Sequence, residues 1–184
     1  MALFMCNTSN VKEMEIGRPQ TVMFDGEEVK PNGSIVTLGD TVEKTKGRAY
    51  DHVHTVTFEE AEAVEGKFII VAPEINVEEY RTIDGQIGKY VLEGGVTYSA
   101  YQLQKLDRIE YTDAYFVSPE ALKVGDTVKI NAEGKFEKEE SNGALRVVSI
   151  LPTHLPVMMA PGKKGQKISL MPQAGLKIKL EVVR

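Results

Sequence analysis

The one place where metal-ligating residue types crowd together is Asp51-His52-Val53-His54. On an extended strand His52 and His54 lie on the same side. Two imidazoles on one face hold zinc or another transition metal if a third ligand arrives from elsewhere. Candidates for that ligand are few, since His154 is the last remaining histidine and Cys6 the single thiol. Ordinary strand histidines near a surface account for the pair with fewer assumptions, and no metal or cofactor is expected.

Other chemistries are less well provided for. No Gly-x-Ser-x-Gly elbow occurs, and Cys6 falls in an irregular N-terminal stretch without the rigid setting a catalytic thiol needs. Pro161-Gly162-Lys163-Lys164-Gly165 has the glycines and lysine of a phosphate loop. It lacks the Ser or Thr after the lysine and the helix that should follow. Glu93-Gly94-Gly95 has neither feature. The acidic groups Glu59-Glu60-Ala61-Glu62 and residues 137–140 do not have the ligand spacing of a calcium loop and read as solvated faces. Tyr90, Tyr98, Tyr101, Tyr111 and Tyr115 sit among strand candidates. They suit a carbohydrate or partner surface, but core packing with hydroxyls at the rim explains them equally simply and is preferred.

The chain has 184 residues, 42% of them hydrophobic and 27% charged, and a net charge of −5. This length supports one sizeable domain without a disulfide or metal to hold it. The acidic balance argues against nucleic-acid binding, which leaves a basic footprint. A single cysteine excludes an intrachain disulfide. The apolar runs are strand-sized, as in residues 68–72, and far short of a membrane-spanning helix. Residues 1–6 are too short for a signal-peptide core, so synthesis in the cytoplasm is expected.

The elements that would position any site are strands. Residues 118–136 set the pattern. Ser118 and Pro119 open a helical turn, with Ser118 as its cap, and Gly125-Asp126 bends the chain. Val128 and Ile130 then alternate with Thr127, Lys129 and Asn131, and Ala132-Glu133-Gly134 turns into a return strand. Such a ribbon needs further strands to close against. The rest of the chain supplies them: residues 20–24, 34–38, 52–58, 67–72, 87–92, 96–103, 106–116, 144–151, 167–171 and 176–183. Residues 67–72 are nearly all apolar, which suits a strand buried on both faces. Glu93-Gly94-Gly95 predicts a hairpin, and residues 138–143 an exposed hairpin tip. Residues 58–65 suit one helical turn. Gly39-Asp40-Thr41-Val42 recurs as Gly125-Asp126-Thr127-Val128, which suggests a shared bend-into-strand device. Ile178, Leu180 and Val182 alternate with Lys177, Lys179 and Glu181, giving one core face and one wet face.

The expected fold is therefore mainly β, a barrel or sandwich of short antiparallel strands. An extended arm covers residues 1–19, and a β domain covers 20–184, divisible into 20–116 and 117–184. Residues 151–165 hold three prolines and two glycines and read as a long loop. The arm residues Met1, Leu3 and Phe4 and the loop residues Leu155, Val157, Met158 and Met159 are the expected partner contacts, through the loop acting as a lid or inserting into a neighbouring chain.

Residues 117–136, with Val124-Gly125-Asp126, the strand that follows and the turn Glu133-Gly134-Lys135, resemble the small β-modules of tailed-phage capsid decoration (cement) proteins. Residues 103–116, through Lys105-Leu106-Asp107, are similar to the segment preceding that module, and an irregular N-terminal arm suits the family. The resemblance implies a non-enzymatic virion component on the capsid surface, made in the host cytoplasm. It would clamp neighbouring capsid protein subunits and form a homo-oligomer, a trimer above all, with no nucleic-acid or membrane partner. It carries over no catalytic residue. Read from the residues alone, the chain also suits a soluble β-barrel binding module for a small molecule, glycan or protein, with the tyrosines and His52 and His54 around a pocket. A hydrolase or metalloenzyme would lack its constellation.

Overall fold

The computed structural model describes residues 6–13, 19–25, 29–42, 52–72, 91–159 and 169–184, with residues 155–159 and 169–173 described by their backbone. The strands follow one another as β1 (Cys6–Asn10), β2 (Gln20–Met23), β3 (Lys30–Pro31), β4 (Ile35–Thr41), β5 (Val53–Thr57), β6 (Phe68–Val71), β7 (Val91–Leu92), β8 (Thr97–Gln102), β9 (Arg108–Thr112), β10 (Thr127–Ile130), β11 (Phe136–Glu139), β12 (Leu145–Met159) and β13 (Ser169–Val182). The protein is mainly β, as the alternating patterns predict. Two short 3-10 turns, Asp113–Tyr115 and Pro119–Ala121, lie between β9 and β10. No described helix is long and apolar enough to cross a membrane.

The strands sort into a closed barrel, β2-β5-β4-β6-β8, a six-stranded sheet, β1-β9-β13-β12-β10-β11, and the small pair β3-β7. β6 joins the first two. Its successive residues Ile69 and Ile70 are both fully buried. Neighbouring residues of a strand point to opposite faces, so Ile70 packs inside the barrel with Val22, Val36, Val56, Leu92 and Tyr98. Ile69 joins the larger core with Leu103, Ile109, Tyr111, Ile178 and Leu180. One apolar run thus forms a wall common to two cores, and each isoleucine contributes roughly 1.5–3 kcal/mol by burial.

The six-stranded sheet keeps one face in that larger core. Ile109 and Tyr111 of β9, Leu145 and Val147 of β12, and Ile178, Leu180 and Val182 of β13 are all buried. Rings of Tyr111, Tyr115, Phe116 and Phe136 meet at centroid distances of 4.7–5.2 Å. The barrel is tied to this sheet through residues 32 and 33. The Tyr111 hydroxyl donates to the Gly33 carbonyl at 2.9 Å, and the Tyr115 hydroxyl donates to the Asn32 carbonyl. The Asn32 side chain in turn accepts from the Ala72 amide at 2.9 Å, at the end of β6.

Several expectations need correction. Residues 6–13 are docked on the chain's own body: β1 pairs with β9, Val11 is fully buried, and the Lys12 amide donates to Asp107 at 3.0 Å. Gly94 and Gly95 do turn, but β7 pairs with β3 while β8 pairs with β2 and β6, so no 93–95 hairpin forms. β10 lies between β11 and β12, so residues 140–144 cross over β10 instead of forming a hairpin tip. The crossing is close: a Cβ on Gly143 would fall 2.6 Å from Thr127 Cβ and 2.7 Å from the Val128 amide nitrogen. Residues 58–65 make no helical turn. Ala61 instead exchanges two backbone hydrogen bonds with Ile130, at 2.9 and 3.1 Å. Ser118 precedes the 3-10 turn without a side-chain cap. Gly39-Asp40-Thr41 lies within β4, whereas Gly125-Asp126 is a turn ahead of β10, so the two Gly-Asp-Thr-Val copies are not one device.

The largest correction concerns the predicted loop 151–165. Its described part, up to Met159, is strand: β12 pairs with β13 without interruption from Ser149↔Lys179 to Met159↔Ser169. Prolines within a strand are tolerated where the missing N–H would have pointed away from the ladder. That condition holds here. The Leu176 amide points out of the ribbon to the Asp113 carboxylate at 3.3 Å, and the Val182 amide points to the same side, to the Asp107 carbonyl. The register places Pro152 opposite Leu176 and Pro156 opposite Pro172. All three prolines therefore share the outward parity, and the ladder between β12 and β13 loses no bond to them.

Candidate functional site

β12 and β13 run far beyond their neighbours. β9 accompanies β13 from Glu181 to Lys177, and β10 accompanies β12 at Leu145 and Arg146. Past Val147, whose backbone still bonds Gly125 and Asp126, and Leu176, whose amide still bonds Asp113, the two strands pair with each other and, among the described residues, with no third strand, and so make a two-stranded ribbon.

The root of the ribbon is held electrostatically on the wet face of the sheet. Arg108 and Arg146 lie directly opposite Glu181 on the two flanking strands. Arg108 Nη2 lies 2.8 Å from Glu181 Oε2, its Nε lies 2.9 Å from the same oxygen, and Arg146 donates to Oε1. One carboxylate thereby fixes the mutual register of β9, β13 and β12. Hydrogen bonds from Arg108 and then Arg146 hold the Glu181 carboxyl below the ordinary range, against a smaller opposing effect of desolvation. The Glu181 side chain is only 5% exposed, but the arginine side chains that pair with it are 50% and 53% exposed, so water reaches the cluster from one side. Beside it, Glu110 takes Lys177 at 2.5 Å and Lys179 at 2.8 Å. Burial works to raise the Glu110 carboxyl, and the bonds and charges of the two lysines outweigh it, leaving it lowered. At the exit from the body, Asp113 holds the Leu176 amide and stands 3.4 Å from where a Cβ on Gly175 would be.

The expected contact residues divide. Met1, Leu3 and Phe4 lie outside the described residues. Leu155, Val157, Met158 and Met159 are on β12, in the free ribbon. Their register separates them: Leu155, Val157 and Met159 share one parity, and Met158 shares the other with Pro152, His154 and Pro156. The opposite strand contributes Leu170, Pro172 and Ala174 at the parity of Met158, and sequence reasoning missed these. The signal was present, because the alternation of Leu176, Ile178, Leu180 and Val182 continues backwards in steps of two through those residues.

The other candidates are scattered. His52 is exposed in a turn just before β5, while His54 is on β5 with Nδ1 3.2 Å from the Gly39 carbonyl oxygen. Asp51 and Tyr90 lie outside the described residues. Among the described residues no three His, Cys, Asp or Glu side chains gather as a metal set. Cys6 is half-buried on β1 opposite Tyr111. Tyr111 and Tyr115 are core residues, as expected, but their hydroxyls are bonded inside the protein and not at its rim. Tyr98 is also buried, and its hydroxyl exchanges bonds with the Glu93 backbone at 2.6 and 3.1 Å. Glu59 and Glu60 meet Lys67 and Lys129 on the surface. An open, mainly polar depression of about 370 Å³ lies along Glu65, Gly66, Gln102, Leu103, Gln104 and Lys105. No protein-family model matches the chain, and no solved structure matches it with significance.

Proposed function

We propose that this protein is a non-enzymatic structural component that joins protein subunits, and specifically a capsid decoration protein on the surface of a tailed-phage virion. The observation that carries the reading is the ribbon of β12 and β13, rooted in a packed body by Glu181 and Asp113 and running on, among the described residues, without a third strand. A two-stranded ribbon alone is marginally stable in water, so a chain that builds one at this length has a use for it against another surface. The likeness of residues 103–136 to decoration-protein modules supports neighbouring capsid subunits as that surface. The barrel interior is filled by Val22, Val36, Val56, Ile70 and Tyr98, which leaves a ligand-binding barrel with less to support it.

The test is location. The protein is expected to copurify with intact particles in many copies. A chain in which residues 152–175 are replaced by a short turn should be lost from those particles. Absence of the full-length protein from particles would overturn the reading, as would unchanged incorporation of the shortened chain.

A further inference from the structure

Among the described residues Leu106 is the most exposed large apolar side chain, at 67%. It is also the one residue other than glycine with a positive φ, +74°. The others in that region, Gly33, Gly66, Gly95, Gly125 and Gly134, have no Cβ to crowd the backbone. Leu106 is the third residue of the turn Gln104-Lys105-Leu106-Asp107, which the Asp107 amide closes on the Gln104 carbonyl at 3.1 Å. A positive φ at that place in a turn favours glycine.

The chain builds the same turn a second time, with the glycine. In Lys123-Val124-Gly125-Asp126 the Asp126 amide bonds the Lys123 carbonyl at 3.1 Å, and the Asp126 carboxylate accepts from the Lys123 amide at 2.9 Å. The Asp107 carboxylate likewise accepts from the Gln104 amide at 2.8 Å. The Gly125 amide donates to the Val147 carbonyl at 2.9 Å, and the Val147 amide to the Asp126 carbonyl at 2.8 Å. Leu106 and Asp107 make the same two bonds with Val182, at 3.0 and 2.9 Å. A Cβ on Gly125 would meet nothing within 4 Å. The turn thus has room for a side chain at its third place but no structural need of one. Leu106 packs against neither core. Its backbone is nevertheless firmly held, because Asp107 is buried and its other carboxylate oxygen accepts from the Lys12 amide at 3.0 Å. The polar depression along Glu65, Gly66, Gln102, Leu103, Gln104 and Lys105 adjoins the turn.

We propose that Leu106 is a binding knob: its side chain seats in an apolar socket on a protein partner, and the polar groups of the adjoining depression meet the socket's rim. A strained residue kept where glycine would serve points to use, not to folding. Because the turn is already fixed, no loop has to be ordered when the knob binds. A membrane is the poorer partner, since one leucine is too small an anchor and a chain of net charge −5 is repelled by anionic lipid. The knob belongs to the body, so this contact is separate from the ribbon. Naming the partner as a capsid subunit rests on the subunit-joining reading above.

The test offers wild type and each variant, in competition, to particles assembled without the protein, and melts every chain by circular dichroism. Leu106→Gly and Leu106→Asn remove the apolar group and relieve the backbone. They should melt at or above the wild-type temperature yet bind about tenfold or more weakly. Leu106→Met keeps an apolar group of similar volume and should bind within about threefold of wild type. Gly125→Leu, the matched control, should melt lower from strain alone and bind as wild type does. Leu106→Gly and Leu106→Asn melting well below wild type would overturn the proposal, because the leucine would then serve the fold. Undiminished binding by those two variants would overturn it as well, as would an unchanged melt of Gly125→Leu or Leu106-dependent binding to phosphatidylcholine vesicles. In each of these cases wild-type protein on the particles leaves the capsid reading standing. A wild type that does not bind particles overturns both.

Discussion

Gly33 lies where β1 and β9 press on the turn before β4. Its φ of +83° is in the left-handed region, and a Cβ there would lie 2.7 Å from both Cβ and Sγ of Cys6 and 3.3 Å from a Tyr111 ring carbon. Gly134 has a similar φ of +77° with nothing within 4 Å of the same position. Gly134→Ala should therefore cost about 1 kcal/mol from backbone strain alone. Gly33→Ala should cost clearly more, roughly 2 kcal/mol or above, because β1 must also shift. Urea unfolding of both variants measures the difference, and equal losses would mean that the Cys6 contact yields freely. Glu181 makes a pH prediction. Its folded carboxyl is lowered by Arg108 and Arg146. Its contribution is complete above the unfolded-chain Glu value of about 4.3 and is lost as pH falls through the lower folded value. Glu181→Gln should cost on the order of 1–2 kcal/mol at neutral pH. The gap to wild type should narrow on acidification, and a gap that is constant with pH would show that the carboxylate's charge does not matter.

At the scale of elements, β6 and the ribbon differ in what covers them. β6 is short and covered on both sides, so its sequence is apolar throughout. The ribbon is long, among the described residues no strand covers either of its edges, and its prolines lie at outward-facing positions on both strands. This placement keeps the ladder intact while removing donors that another strand would use. Replacing Pro152, Pro156 and Pro172 together by Thr should leave the ribbon paired but open its edges. The expected result is concentration-dependent aggregation seen by light scattering, with little change in the melting of the body. Unaltered solubility would remove the edge-protection argument.

At the scale of the whole molecule, the body and the ribbon are separable in stability. The two cores draw on β1, β2 and β4–β13, but the described side chains of the ribbon beyond Leu176 and Ile150, those of residues 151–154 and Ala174, join neither. The chain with residues 152–175 replaced by a short turn, already required for the particle test, should therefore melt within a few degrees of wild type. A large fall in melting temperature would mean that the ribbon is folded onto the body and is not an arm. The meeting of Glu60 and Glu139 at Lys129 also exists only at this scale, because residues 58–62 reach β10 through the Ala61–Ile130 bridge.

Period-two alternation by itself determined that this chain is a β protein and that Val128, Ile130, Ile178, Leu180 and Val182 face a core, and the unbroken apolar run at residues 67–72 determined a strand buried on both sides. Those features are local: burial of alternate side chains is written into neighbouring residues. Strand partners are not local. Glu93-Gly94-Gly95 turns whichever strands it joins, and only the closed barrel decided that β8 pairs with β2 and β6. Proline is the sharpest case. In a lone sequence Pro152, Pro156 and Pro172 break a strand, because their missing amides have no known direction. The register of β12 against β13 turned all three outward, where no bond between those strands is lost, and so made a ribbon of what composition alone describes as a loop.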